Sequence, residues 1–172
     1  MPNITMVLAC DKKGCIGKGG KLPWDVRSEM EHFLRTVAFK PLVMGKSTCL
    51  SLRKPINTAP NYVLTRDPDF HREGFITVNS IDEVLSVVGE SDLYIVGGQQ
   101  IYEQFFELAK QRDDVRIIIE VSIIDTIVED GDAFFDLEGL NNDPTFTQKL
   151  IQRHTKVGEP AWKAYAYYKA RY

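Results

Sequence analysis

The sequence has few cysteines, no marked excess of charge of either sign and no long hydrophobic run. The three cysteines among 172 residues, Cys10, Cys15 and Cys49, lack the paired spacing of metal ligands. An odd number of thiols is typical of a reducing compartment such as the cytoplasm. A net charge of −3 gives no general attraction to nucleic acid or to an anionic membrane surface. The apolar run at residues 4–10 is too short to span a bilayer. We therefore expect a cytoplasmic protein that binds neither nucleic acid nor membrane and holds no metal.

No internal repeat, low-complexity tract or proline- and serine-rich linker divides the chain. Apolar residues make up 44% of it and charged residues 26%, which are ordinary values for a soluble globular protein. A chain of this length buries a sizeable core without disulfides or metal ions. We expect one domain spanning residues 1–172.

Apolar runs alternate with amphipathic segments over the first two thirds of the chain. The predicted strands are residues 4–10, 41–45, 61–65, 75–78, 93–98 and 115–124. The predicted helices are residues 26–38, a segment from about Ser47, and residues 81–88 and 99–109. Segments 146–156 and 161–172 flank a Gly158–Glu159–Pro160 turn, as in an antiparallel hairpin. This order predicts an α/β mixed sheet with helices on both faces, and ligands of such sheets bind beyond the carboxyl ends of the strands.

Three predicted strands end in residues that are suited to phosphate. Gly97–Gly98 and the segment Gly45–Lys46–Ser47–Thr48 each precede or open a helix, and Thr65–Arg66 adds a hydroxyl and a guanidinium. Helix N-termini present free N–H groups, and glycine lets a pyrophosphate approach closely. Each feature alone is equally typical of a turn or of a solvated surface charge. Together they favour a site for a phosphate ester, with Arg66 as a bidentate partner.

Glu29 is an acidic residue close to the apolar stripe of the first predicted helix. Asp25 is placed to cap this helix. The stripe consists of Val26, Met30, Phe33, Leu34 and Val37. A carboxylate beside such a stripe is partly desolvated, which raises its pKa and suits it to proton transfer. A glutamate in the first turn is also favoured by the helix dipole alone, and Trp24, just before the helix, is compatible with a plain core aromatic.

Five blocks of sequence resemble the dihydrofolate reductase family. The first is IGKGGKLPWDVRSEMEHF at residues 16–33. It is followed by VMGKST at 43–48, NYVLTR at 61–66, IVGGQQIYEQF at 95–105 and GDAFF at 131–135. The blocks occur in family order, at near-family spacing, along almost the whole chain. The resemblance implies a single-domain α/β fold with a mixed, mainly parallel eight-stranded sheet, about four flanking helices and an antiparallel C-terminal hairpin.

The resemblance also implies a role for each matching residue. Glu29, Trp24, Ser122 and Tyr102 would form the catalytic group, with Trp24 holding a water near Glu29 and Ser122 bonding its carboxylate. The substrate would contact Val7, Leu8, Glu29, Phe33, Leu52, Ile56 and Val96. The cofactor would contact Ala9, Ile16, Gly17, Gly45, Lys46, Ser47, Thr48, Leu64, Thr65, Arg66, Gly97, Gly98, Gln99, Gln100 and Ile101. Gly97–Gly98 would be joined by a cis peptide bond, and residues 11–21 would form a mobile lid.

The activity implied is the reduction of 7,8-dihydrofolate to 5,6,7,8-tetrahydrofolate with NADPH. Hydride passes from the nicotinamide to C6 of the pterin, and the neighbouring N5 gains a proton. Glu29 is the protonatable side chain that the resemblance places there, acting through water or by raising the basicity of N5. We expect a monomer whose partners are a small-molecule dihydropterin and NADPH.

One position departs from the family pattern. Ala59 stands where the family usually has an arginine that binds the α-carboxylate of the glutamate tail of folate, and Gln100 stands where a basic residue often helps to bind the cofactor phosphates. Two alternatives therefore stay open. One is a reductase of the same fold acting on another pterin or on the ribosylaminopyrimidine of riboflavin synthesis, although Pro23–Trp24 with Glu29 argues against it. The other is a non-catalytic nucleotide-binding structural module.

Overall fold

The computed structural model describes residues 3–169, and these form ten strands and five helices. The strands are β1 (Asn3–Cys10), β2 (Cys15–Gly17), β3 (Leu42–Gly45), β4 (Asn61–Leu64), β5 (Ile76–Val78), β6 (Leu93–Ile95), β7 (Arg116–Ile124), β8 (Ala133–Phe134), β9 (Phe146–His154) and β10 (Trp162–Lys169). The helices are α1 (Arg27–Thr36), α2 (Lys46–Ser51), α3 (Ile81–Val88), α4 (Gln99–Gln111) and α5 (Leu137–Asn142).

Eight of the strands form one sheet in the order β5-β4-β3-β6-β1-β7-β10-β9. The pairs from β5 to β7 are parallel, and β10 pairs antiparallel with both β7 and β9. The predicted α/β class, the mainly parallel eight-stranded sheet and the C-terminal hairpin are thus confirmed. Residues 170–172 of the last predicted strand lie outside the described residues. The parallel strands all end at one edge of the sheet, and that edge positions the site.

The core lies on both faces of β1 and its neighbours, as their apolar composition predicts. Side chains of alternate residues of a strand point to opposite faces. Met6 and Leu8 of β1 therefore join the larger cluster with α4, whereas Val7 packs with Val37 and Leu42 on the face of α1. A strand buried on both faces is typical of a parallel sheet covered by helices.

Helix α1 differs from its prediction at both ends. It covers Arg27–Thr36 rather than residues 26–38, and Val26 rather than Asp25 occupies its N-cap position, with no side-chain hydrogen bond there. The predicted apolar stripe was partly wrong, because Met30 and Leu34 are 39% and 46% exposed. Glu29 is the buried residue of the helix instead. Residues three or four positions apart form the buried face of the helix, and the polar residue Glu29 occupies one of these positions.

Three small elements have no counterpart among the sequence predictions. Strands β2 and β8 form a separate two-stranded sheet, and α5 is a fifth, six-residue helix.

Asp11 is buried, and its carboxylate accepts hydrogen bonds from the backbone N–H groups of Lys13, Cys15 and Val128 at 2.8 to 2.9 Å. It therefore fastens the start of the glycine-rich loop to the segment before β8. The loop tip at Gly19 and Gly20 is exposed.

Within residues 3–169, no helix is long and apolar enough to cross a membrane. The same residues contain no group of three or more histidine, cysteine or acidic side chains placed to hold a metal ion. The three cysteines are buried and unpaired.

Candidate active site

The N-terminus of α4 lies against the end of β3 at the carboxyl edge of the sheet. The Gly45 N–H donates to the Gly97 carbonyl oxygen at 2.8 Å, and the Gly97–Gly98 peptide bond is cis. A Cβ atom at Gly45 would lie 3.1 Å from Ile101 Cγ1, and one at Gly97 would lie 3.2 Å from Tyr102 Oη. Glycine at both positions therefore lets the two backbones meet and leaves the α4 N-terminus open to an anion.

Hydroxyl and cationic side chains surround this junction. Thr48 Oγ1 lies 3.7 Å from the point where a Cβ of Gly98 would be. Lys46 Nζ lies 3.3 Å from Asp67 Oδ2, a contact that ties the start of α2 to the loop after β4. Arg66, in the same loop, is exposed and has no ion pair among the described residues. The predicted phosphate-binding residues thus share one edge, with a free guanidinium at its border.

Tyr102 links α4 to the middle of the sheet. Its hydroxyl donates to the Val7 carbonyl oxygen at 2.8 Å, and both residues are buried. Burial raises the pKa of Tyr102, and the negative charge of Glu29 raises it further. Tyr102 is therefore a neutral hydrogen-bond donor close to the Glu29 carboxylate. A carbonyl oxygen can accept two hydrogen bonds, so the bond from Tyr102 does not by itself saturate the Val7 carbonyl.

Glu29 is a buried carboxylate at this edge, with 6% of its surface exposed. Burial raises the pKa of the Glu29 carboxyl above its ordinary value, and a hydrogen bond with the Ser122 side chain partly offsets this by lowering it. Ser122 is buried on β7 and lies beside Ala9 of β1 in the sheet register. A shielded carboxylate with a raised pKa is a candidate for proton transfer near neutral pH.

Apolar side chains form the walls beside Glu29. Val7 packs with Phe33 and Val96, and Ile56 contacts both this group and the one that contains Leu52. Phe33, Leu52, Ile56 and Val96 are only half-buried. Partly open apolar walls next to one carboxylate fit a flat heterocycle with N–H donors.

Trp24 borders the same region and packs with Ala9 against the cluster of Val26, Ile124 and Trp162. Its Nε1 atom is buried and has no hydrogen-bond partner among the described residues. A buried indole N–H ordinarily has a partner. A water or ligand at this atom would therefore satisfy it, in line with the expected water near Glu29.

The remaining predicted residues lie at the same edge but differ in which of their groups are available to a ligand. Leu8 and Leu64 have side chains in the core, so only their backbones are available to a ligand. Ile16 and Gly17 belong to β2, which pairs with β8. The Gln99 side chain accepts a hydrogen bond from the Phe134 N–H at 2.9 Å and therefore supports β8 rather than projecting freely.

A separate surface depression of about 380 Å³ is lined by Lys12, Ile123, Asp125, Ala161, Trp162, Lys163 and Tyr165. It shares no residue with the predicted site.

Comparison with known proteins identifies the family. The family profile described as dihydrofolate reductase matches residues 3–157. The dihydrofolate reductase of Neisseria gonorrhoeae is 37% identical over 137 residues, covering 78% of this chain and 80% of that protein. The Staphylococcus aureus enzyme is 31% identical over 135 residues, covering 77% of each chain. The chain belongs to the dihydrofolate reductase family. A solved structure of the Enterococcus faecalis dihydrofolate reductase, complexed with NADP(H) and RAB-propyl, has the same fold, with a TM-score of 0.77 and 24% identity over 98% of this chain and 96% of that one.

The segment around Ala59, where the family pattern is broken, has a hydrogen-bond network of its own. The Asn57 side-chain amide donates to the carbonyl oxygens of Val37 and Lys40 at 2.7 and 3.1 Å, which caps the end of α1. Asn57 Oδ1 accepts from the Ala59 N–H at 3.1 Å, and Asn61 Nδ2 donates to the Ala59 carbonyl oxygen at 2.8 Å. Asparagine side chains thus fix the backbone of this loop, and Ala59 adds no charge to it.

The raised pKa of Glu29 leads to a prediction about stability. A carboxyl whose pKa is higher in the folded than in the unfolded protein holds its proton more tightly when folded. Stability is therefore lost as the pH rises from the ordinary glutamate pKa through the raised pKa of Glu29. We expect Glu29→Gln to unfold at a higher temperature than the wild type at pH 7, with the difference disappearing in acid.

Thermal unfolding followed by circular dichroism across the pH range measures this difference. Glu31→Gln is the matched control, because Glu31 lies on the same helix with its side chain 54% exposed and should show no such gain. Equal unfolding temperatures of Glu29→Gln and wild type at pH 7 would contradict the prediction.

Proposed function

We propose that this site reduces 7,8-dihydrofolate to 5,6,7,8-tetrahydrofolate with NADPH, by hydride transfer to C6 and protonation of N5. The observation that carries the proposal is one buried carboxylate, Glu29, beside a tyrosine at the glycine-lined N-terminus of α4. The pterin amino and ring N–H groups would bind Glu29 and the Val7 and Val96 carbonyls. The substrate is a small molecule, and the proposal needs no metal.

The residues present fit NADPH. The α4 N-terminus would hold the phosphates, with Gly45 to Thr48 beside it and Thr65 and Arg66 at the 2′-phosphate, since a helix N-terminus and an unpaired guanidinium both favour anions. When bound, NADPH supplies the hydride. Ala9, Ile16 and Gly17 would border the nicotinamide. Glycine at positions 45 and 97 lets Ile101 and Tyr102 pack closely against the backbone at this end of α4.

The chain itself contributes positioning and one proton path. Glu29 holds the pterin and raises the basicity of N5 or passes a proton through water, and Trp24 Nε1 would hold that water. Tyr102 remains neutral and fixes the Val7 carbonyl. The apolar walls exclude bulk water, and most of the rate would come from holding the two rings together in this dry pocket.

We also propose that the chain acts as a cytoplasmic monomer. Three buried, unpaired thiols support a reducing compartment. The proposed catalytic, substrate and cofactor residues all come from one chain.

The assay that tests the function is the NADPH-dependent consumption of dihydrofolate, followed by the loss of NADPH absorbance. Turnover with dihydrofolate supports the proposal. Turnover only with a ribosylaminopyrimidine would favour the same-fold alternative, and nucleotide binding without turnover would favour the non-catalytic module.

The first prediction here concerns Glu29 in catalysis. Glu29→Gln keeps the shape but removes the ionisable group, so turnover at pH 7 should fall by the roughly 10²- to 10⁴-fold typical of a lost acid–base residue. Activity should partly recover at lower pH, because the substrate then arrives with N5 already protonated by solvent. Steady-state rates with both substrates saturating measure this, with Glu31→Gln as the control. Near wild-type turnover of Glu29→Gln at pH 7 would refute the role.

The second prediction concerns cofactor choice. A charge-assisted hydrogen bond contributes roughly 1.5–3 kcal/mol, or about ten- to a hundredfold in affinity, so Arg66 should favour NADPH over NADH. We expect Arg66→Ala to raise the KM for NADPH by that factor and to leave the KM for NADH nearly unchanged. Arg153→Ala, another exposed arginine, on β9, is the control. An equal loss with both cofactors would show that Arg66 is structural.

The third prediction concerns the glutamate tail. A methyl group cannot bind a carboxylate, so Ala59 should leave the tail loosely held and the KM for dihydrofolate high. Ala59→Arg keeps the backbone contacts of Asn57 and Asn61, and it should lower that KM about tenfold or more at roughly 1.5–3 kcal/mol per charge-assisted pair. The kcat should hardly change, because the tail lies far from C6 and contributes uniform binding.

Ala59→Gln is the control for this change, since it adds length without charge. Dihydropterin that lacks the tail should gain nothing from Ala59→Arg. The prediction fails if Ala59→Arg has no effect while Arg35→Ala or Arg53→Ala sharply raises the KM, because an existing cation would then bind the tail.

A further inference from the structure

The first turn of α1 has no side-chain cap, although it carries Glu29. Val26 occupies the N-cap position, and no side-chain hydrogen bond forms there. The first N–H groups of a helix lack intrahelical partners, and a missing cap weakens that end. The turn that positions Glu29 must therefore be held by contacts outside the helix.

Ser28, the residue before Glu29, provides such a contact with the turn between β9 and β10. Its hydroxyl donates to Glu159 Oε2 and accepts from Trp162 Nε1 at 2.8 Å. The Glu159 side chain is only 11% exposed, and Trp162 is buried. A hydrogen bond to a shielded carboxylate is stronger than one between neutral groups. The contact therefore restrains the first turn of α1.

Two histidines complete the surroundings of Glu159 and Trp162. His154 stacks on Trp162 with 5.3 Å between ring centres, and its Nε2 atom lies 3.9 Å from Glu159 Oε2. His32, four residues after Ser28 on α1, packs on Trp162 with ring centres 5.1 Å apart. Residues four apart on a helix share a face. One face of α1 is thus attached to the hairpin at two successive turns.

Different groups surround Glu29 itself. The pKa of Glu29 responds to burial and to Ser122, and its charge acts on Tyr102. The pKa of His32 lies below its ordinary value, because burial and the charge of Arg35 lower it more than a hydrogen bond with the Gln152 side chain raises it. The charged residues of the hairpin therefore do not shift the pKa of Glu29 directly. The hairpin can affect that pKa only by changing the position of α1.

We propose that Glu159 is a positioning residue for Glu29: by holding Ser28, it keeps the first turn of α1 against β10 and the Glu29 carboxylate against Ser122. The sheet connects the two contacts. Ala164, two residues after Trp162 on β10, pairs with Ser122 of β7. The inference rests on the proposed function, in which Glu29 handles the proton.

Loss of the contact between Ser28 and Glu159 should change the pKa of Glu29, which a general loss of stability would not do. A loosened first turn admits water to Glu29, which removes part of the burial that raises its pKa. The pH at which activity is half-maximal should then move down, and kcat should fall roughly tenfold because the carboxylate is misplaced. The KM for NADPH should not change, since α2 and α4 bind the cofactor.

The test compares Glu159→Ala and Ser28→Ala with Glu159→Gln, whose amide oxygen still accepts from Ser28. Glu73→Gln and Glu73→Ala are controls at an exposed glutamate. The measurements are kcat against pH, both KM values, the unfolding temperature and the NMR titration of the Glu29 carboxyl. The titration needs no turnover, so it tests the positioning even if dihydrofolate is not reduced, an outcome that would overturn the proposed function alone.

We expect Glu159→Ala and Ser28→Ala to lower kcat and the titration midpoint of Glu29, with Glu159→Gln close to wild type. A lower unfolding temperature with an unchanged Glu29 midpoint in Glu159→Ala, or in Ser28→Ala alone should Glu159→Ala not fold, would overturn the proposal. It is also overturned if His154→Gln shifts the pH profile as much as Glu159→Ala, because the profile would then report His154.

Discussion

A buried carboxylate is costly unless other groups satisfy it, and the architecture around Glu29 follows from that constraint. The Ser122 hydroxyl bonds it, and the neutral Tyr102 lies close by. The raised pKa of the Glu29 carboxyl is the chemical consequence of this burial, since an apolar setting disfavours the charged form. The predicted gain in stability of Glu29→Gln is of the kind expected where a fold keeps a charged group for chemistry.

The rest of the site is built mainly from backbone. Parallel strands bring β1, β3, β4, β6 and β7 to one edge, and the glycines there let β3 meet α4 through a 2.8 Å hydrogen bond. Backbone N–H and C=O groups are fixed by the sheet itself, so they need no side-chain ordering when a ligand binds. Side chains are then left for the tasks that backbone cannot perform, which are the proposed proton transfer at Glu29 and the proposed charge recognition at Arg66.

Much of this could be predicted from the sequence, and the failures have physical causes. The long strands and α3 follow from strong apolar periodicity, and the residues proposed for the site come from family motifs that occur in order. The residue type of Asp25 predicts a helix cap, but Val26 occupies that position. The β2–β8 pair and the Glu159–Ser28 contact join residues more than a hundred positions apart, and local patterns carry no signal for such contacts.

The substitution at Ala59 shows which parts of such a site are free to vary. Interactions that are equally strong in the ground and transition states change KM but not kcat. The tail of the substrate is remote from the reacting carbon, and Asn57 and Asn61 bind the backbone of residue 59 whatever its side chain. An arginine there can consequently be lost without disturbing the fold or the chemistry. Glu29 differs from residue 59, because its burial raises its pKa, and under the role proposed for Glu159 that burial depends on the position of α1.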